Sequence, residues 1–89
     1  MNVSYMAQVS GQVQGVFFRV SSQQVAIDFG LSGYVRNLAD GDVEVLISGE
    51  RDKVDKMLEW LAHGPPEAKV DKLQTKQVKY KPQDFFSIS

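Results

Sequence analysis

Apolar positions recur along this chain with two periods, and the switches between them divide it into elements. Tyr5, Ala7 and Val9 alternate with Met6, Gln8 and Ser10, the two-residue period of a strand with one buried face. That strand is placed at residues 3–10. Beyond a short glycine-containing stretch, Ser22, Val25, Ala26 and Phe29 stand at i, i+3, i+4 and i+7, a single helical stripe over residues 20–29. Gly30 follows as a left-handed C-terminal cap, and Val20 and Ile27, off the stripe, are expected at its margins or partly exposed. Residues 31–38 read as a second strand. Asp40-Gly41 between two strand runs signals a hairpin. Val43, Val45 and Ile47 then alternate with Glu44, Leu46 and Ser48 as a third strand. Val54, Met57, Leu58 and Leu61 mark a second helix, ended by Gly64-Pro65-Pro66. Val70 and Leu73 lie three apart, so a fourth strand needs a bulge near Asp71-Lys72 to keep its facing. Residues 76–84 are polar, contain Pro82 and read as an exposed connection. Phe86 and Ile88 alternate as a short final strand.

The order strand, helix, strand, strand, helix, strand fits the α+β ferredoxin-like arrangement β-α-β-β-α-β. It predicts an antiparallel sheet with both helices on one face and a short C-terminal edge strand. The other face is expected to be largely open to water. At 89 residues, residues 1–89 are expected to form one domain with a thin core margin. The first crossover and the second strand should meet at one end of the sheet.

Chemistry concentrates at that end. Residues 10–19 read SGQVQGVFFR, two glycines four apart, an apolar run and one arginine, between a strand and a helix. The backbone N–H groups of such a loop and of the first helical turn lack internal partners. Together with the helix dipole they make a cradle for anions. Arg19 adds a planar, permanently charged fork suited to a phosphate face. A glycine pair alone more often marks only a tight turn before a helix with a surface arginine; the arginine at the helix entry strengthens the binding reading without deciding between the two. Of Phe17 and Phe18, one should pack into the core while its neighbour faces the pocket or solvent. In Gly33-Tyr34-Val35-Arg36-Asn37, the neutral carboxamide of Asn37 can hold a water by a lone pair while donating elsewhere. An asparagine before an Asp-Gly turn also serves as a strand-end turn former. Arg36 faces oppositely and is read as solvated.

These two segments, GQVQGVFFR at 11–19 and GYVRNLADGDVEVLISG at 33–49, closely resemble the two signature motifs of the acylphosphatases. The likeness extends over nearly the whole chain, in length and in element order. Leu38 departs from it, since some members carry a hydroxyl residue directly after the asparagine. The resemblance implies hydrolysis of the carboxyl–phosphate bond of small acyl phosphates to carboxylate and inorganic phosphate. It implies Arg19 and the backbone N–H groups of Gln14, Gly15, Val16, Phe17 and Phe18 as the phosphate-binding set, and Asn37 as the residue that positions the attacking water. It implies no cofactor and no metal.

Composition narrows the remaining classes. There is no cysteine and one histidine, His63, so a thiol nucleophile and a multi-histidine metal site are unavailable. Asp40 and Asp42 are explained by hairpin chemistry, and His63 by a surface or capping role at a helix end. Trp60, at the edge of a helical stripe, is assigned to packing. A net charge of −1 gives no pull toward nucleic acid or an anionic membrane. The absence of cysteine and of a signal-peptide pattern suits a cytoplasmic protein, and no apolar stripe is left over, which favours a monomer. The competing reading is a ferredoxin-like binding or regulatory module for a small anionic ligand or RNA, because the fold does not choose among these tasks. RNA binding would require exposed aromatics and a basic surface on the central strands, and residues 43–48 offer neither.

Overall fold

The computed structural model describes all 89 residues. The elements run β1 (Asn2–Gln12), α1 (Phe18–Asp28), β2 (Ser32–Asn37), β3 (Val43–Glu50), α2 (Arg51–Leu61), β4 (Lys69–Val78) and β5 (Phe86–Ile88). They form one five-stranded sheet in the order β4-β1-β3-β2-β5, the ferredoxin-like α+β fold. β1 to β4 pair antiparallel. β5 lies parallel to β2, so the sheet is mixed rather than wholly antiparallel. The cause is topological. β4 ends at one edge, and residues 79–85 carry the chain across to the opposite edge before β5 begins.

Alternation in the sequence sets the layers. Val3, Ala7 and Val9 of β1, Val35 of β2, and Val43, Val45 and Ile47 of β3 are buried on the face covered by the helices. α2 packs over β1 and β3, and α1 over β2 and β5. Val54, Met57 and Leu61 of α2 are buried with them, as are Ser22 and Ala26 of α1. Val20 and Ile27 are exposed, 59% and 56%, outside the stripe. α1 ends as a Schellman turn: Gly30, at φ 70°, donates to Ile27, and Leu31 donates to the Ala26 carbonyl at 2.8 Å. Only a residue tolerating that left-handed conformation lets the chain reverse so tightly into β2. The bulge in β4 falls at Asp71: Gly11 pairs with Val70 and Ser10 with Lys72, leaving Asp71 unmatched.

Two further expectations are corrected. β4 continues through Val78, so residues 76–78 are strand, because β1 offers a pairing edge from Ser4 onward. The face away from the helices is also less open than expected. Ser32, Ser48 and Ser4 form one rung across β2, β3 and β1. Ser4 and Ser48 share a hydrogen bond, the Lys81 N–H donates to Ser4 Oγ, Ser48 Oγ donates to the Lys81 carbonyl, and the Gln83 N–H donates to Ser32 Oγ. The crossing segment is thus clasped to the sheet by three hydroxyls. Ser4, Leu46 and Ser48 are buried on that face.

Candidate active site

The end of the sheet where β1, β2 and β5 stop carries a cleft of about 270 Å³, lined by Val13, Gly15, Phe17, Phe18, Arg19, Val20, Asn37 and Ile88. Residues far apart in sequence meet here for reasons of parity. Asn37 is an odd-numbered residue of β2, on the side of Gly33 and Val35, both buried toward the helices. Arg36 and Tyr34 point to the opposite face. There Arg36 Nε pairs with Glu44 at 2.8 Å and Tyr34 donates its hydroxyl to the same carboxylate at 2.9 Å. Arg36 is therefore held by an ion pair rather than simply solvated, and it lies outside the cleft lining. Burial, reinforced by the bond to Glu44, raises the Tyr34 phenol above its usual range, while Glu44 raises the Arg36 guanidinium.

The crossing loop is fixed at both ends. Phe18 is fully buried, its ring 5.8 Å from that of Trp60; such burial stabilises by about 1.5–3 kcal/mol. It anchors the first turn of α1, which begins two residues earlier than the helical stripe indicates. Phe17 is 71% exposed, so the aromatic pair splits between core and cleft. Phe17 also adopts φ 61°, and it is the only non-glycine residue with positive φ. That conformation costs on the order of 1–3 kcal/mol in a bulky residue. With Gly15 at φ 73°, it turns the loop around the cleft.

The consequence is a run of backbone donors without acceptors. The N–H groups of residues 14–20 make no hydrogen bond to any protein acceptor; the first bonded amide of α1 is that of Ser21, to the Phe17 carbonyl at 3.0 Å. Arg19 is partly buried, and its guanidinium donates to the main-chain oxygen of Ser89 at 3.0 Å. Ser89 is in turn held by its own N–H to the Val35 carbonyl. The residue that follows β5 thus braces the arginine beside the loop. The Asn37 carboxamide has no protein partner and is exposed, while its backbone is locked in register opposite Val43.

Two features of the site were not legible in the sequence. The Gln14 side chain turns away from the cradle and donates from Nε2 to the carbonyls of Leu38 and Asp42, both at 2.9 Å. It ties the loop to the hairpin that follows Asn37. The Arg19–Ser89 contact is the other. Neither acceptor is a side chain, so no residue type announces it. The remaining assignments fall away from the site. His63 is exposed and bonds the Glu59 carbonyl. Asp40 accepts the Asp42 N–H within the hairpin, and Asp42 accepts from Gln8. No group of three or more acidic, histidine or cysteine side chains is placed to hold a metal, and no helix is long and apolar enough to cross a membrane.

Comparison with known proteins identifies the family and supports the fold. The acylphosphatase family model matches residues 5–88. A curated acylphosphatase of Colwellia psychrerythraea is 61% identical over 88 residues, 99% of each chain. An acylphosphatase structure from Coxiella burnetii superposes with TM-score 0.95 at 39% identity, covering 99% of this chain and 93% of that one. One from Bacillus subtilis gives 0.93 at 33%, covering 100% and 99%. With the family model matching residues 5–88 and the likeness to a curated member running over 99% of each chain, the chain belongs to the acylphosphatase family.

Proposed function

We propose that this acylphosphatase hydrolyses the carboxyl–phosphate bond of small acyl phosphates by seating the phosphoryl group in the crossing loop. In this reading the N–H groups of Gln14, Gly15, Val16, Phe17 and Phe18 and the guanidinium of Arg19 bind the phosphoryl oxygens, and Asn37 presents water to phosphorus. The observation that carries it is the unpaired amide run of residues 14–20, of which Gly15, Phe17 and Phe18 line one cleft with Arg19 and the unpartnered carboxamide of Asn37, while Gln14 and Val16 lie outside that lining.

The chemistry asks little more. Phosphoryl transfer depends chiefly on alignment and on stabilising charge over three equatorial oxygens. Donors fixed before reaction supply that without reorganisation, and each is worth about 3 kcal/mol of barrier. Water attacks phosphorus as the bond to the bridging oxygen breaks. That oxygen leaves with the carboxylate, which is a weak base and departs unprotonated. The water proton passes to a phosphoryl oxygen. The cleft lining offers no carboxylate, imidazole or thiol, which supports a metal-independent route. Gln14 acts as a positioning residue, fixing the distance between the cradle and Asn37. The same reading takes residues 1–89 as one monomeric domain, cytoplasmic, whose partner is the small substrate alone and neither nucleic acid nor membrane.

The test is hydrolysis of acetyl phosphate by purified protein in the presence of a chelator. Turnover that survives chelation and is lost in Arg19→Gln supports the proposal. Turnover independent of Arg19, or abolished by the chelator, defeats it.

A further inference from the structure

Three large apolar side chains stand in water around the cleft: Phe17, 71% exposed, Val20, 59%, and Ile88, 37%. A single exposed apolar residue needs no explanation. Three on the rim of one polar cradle form a patch of the kind that marks a binding surface. Separate elements place them there. Phe17 is directed outward by its left-handed backbone. Val20 lies in the first turn of α1, off the buried stripe. Ile88 shares the parity of buried Phe86 in β5 but stands two residues nearer the end of the sheet, past the covered core.

We propose that Phe17, Val20 and Ile88 form the acyl-side subsite, and that they select uncharged aliphatic acyl groups longer than acetyl over polar or anionic ones. This rests on the assignment of the phosphoryl group to residues 14–19. With Arg19 and the loop amides engaged by that group and Asn37 by water, the lining holds no further side-chain polar group for the acyl end. A hydroxyl, amide or second anionic group on the acyl chain would lose hydration there and gain no partner. An alkyl chain would instead displace water from three apolar surfaces. The cleft, at about 270 Å³, is several times the ~30 Å³ share of one water, so space remains beyond the phosphoryl group. Selection works by penalty as well as by attraction.

The experiment compares acetyl, butyryl and hexanoyl phosphate, with succinyl phosphate as the chain-matched anionic partner of butyryl. The straight-chain carboxylates are nearly equal as leaving groups, so a trend with length reports contact rather than lability. We expect kcat/KM to rise about tenfold or more from acetyl to hexanoyl, mostly through KM, as for binding felt equally before and in the transition state. Succinyl phosphate should fall about tenfold below butyryl. The double variant Val20→Ser/Ile88→Ser should flatten the length series. Val20→Thr, close in volume, should do so in part, while thermal melts confirm that both variants fold. A flat series in the parent protein, or a slope the variants leave intact, overturns the proposal. Failure to hydrolyse any of the four defeats the phosphate-site assignment, and this inference with it.

Discussion

The Gln14 side-chain amide donates to the carbonyl of Leu38 at 2.9 Å, so the loop that would hold phosphate and the strand end that carries Asn37 share a bond. The same nitrogen reaches Asp42, on the far side of the hairpin. Gln14→Met keeps the side chain's length and removes both bonds. Because the amide cradle and Arg19 belong to one segment, inhibition by inorganic phosphate should change less than about threefold. Misalignment of the water near 1 Å costs on the order of 10²-fold in rate, so kcat should fall by roughly 10–100-fold. Steady-state kinetics with phosphate as competitive inhibitor separates the two. Equal loss of both would make Gln14 a fold residue only.

Arg19 is held by the main-chain oxygen of Ser89 and presents a planar fork. Its replacement by glutamine removes the charge and three of five N–H donors, and should lower kcat/KM by at least the ~10²-fold that one lost donor costs. Lysine restores the charge without the fork and should recover only part of it. Kinetics of both variants against acetyl phosphate checks the order.

Asn37 meets no protein group through its side chain, and its backbone pairing with Val43 does not depend on the residue type. Asn37→Ala should therefore lower kcat while leaving phosphate affinity within about threefold of the parent, since only the transition-state contact is removed. Calorimetric titration with phosphate alongside turnover measures both. A parallel collapse of affinity would assign Asn37 to the cradle.

The serine rung predicts a stability effect remote from the site. Ser48→Ala removes the donor to the Lys81 carbonyl and the Ser4 partner, both in partly or fully buried surroundings. Unfolding in urea should show a loss of about 1–3 kcal/mol, the cost of leaving such a group unpaired. An unchanged midpoint would show that the crossing segment is not held by the rung.

Tyr34 sets an alkaline limit. Burial first, and the bond to Glu44 second, raise its folded-state pKa above the usual value of about 10. The folded state therefore keeps a proton that the unfolded chain releases. Stability is fully present below about pH 10 and declines as pH rises through the raised value. Denaturant midpoints at pH 9 and pH 11 should show a larger drop for the parent than for Tyr34→Phe. Equal drops would remove Tyr34 from the account.

How much of this was readable in advance follows from where each signal resides. Alternation at Tyr5-Ala7-Val9 and the stripe at Val54-Met57-Leu61 are local, so the strands, the helices and the bulge at Asp71 were all visible. Arg19 stood out as the one charge at the entry of a helix after a glycine-containing loop, whereas Asn37 was singled out by the resemblance of residues 33–49 to a family motif, since an asparagine before an Asp-Gly turn reads equally well as a turn former. The Gln14 brace and the Arg19–Ser89 contact were not, since their acceptors are main-chain oxygens delivered by register. The left-handed Phe17 carries no residue-type signal. The rung of Ser4, Ser48 and Ser32 exists only once three strands are paired, so the segment it clasps read as a free connection. β5 read as an edge strand, but its parallel direction depends on that crossing.

The most direct test is a phosphate titration of ¹⁵N-labelled protein followed by amide and arginine side-chain resonances. Saturable shifts concentrated on the amides of residues 14–19 and on Arg19 Nε, lost in Arg19→Gln, are the predicted result. Shifts that are absent, or that center on the face bearing Tyr34 and Glu44, would contradict the assignment of the crossing loop as the phosphoryl site.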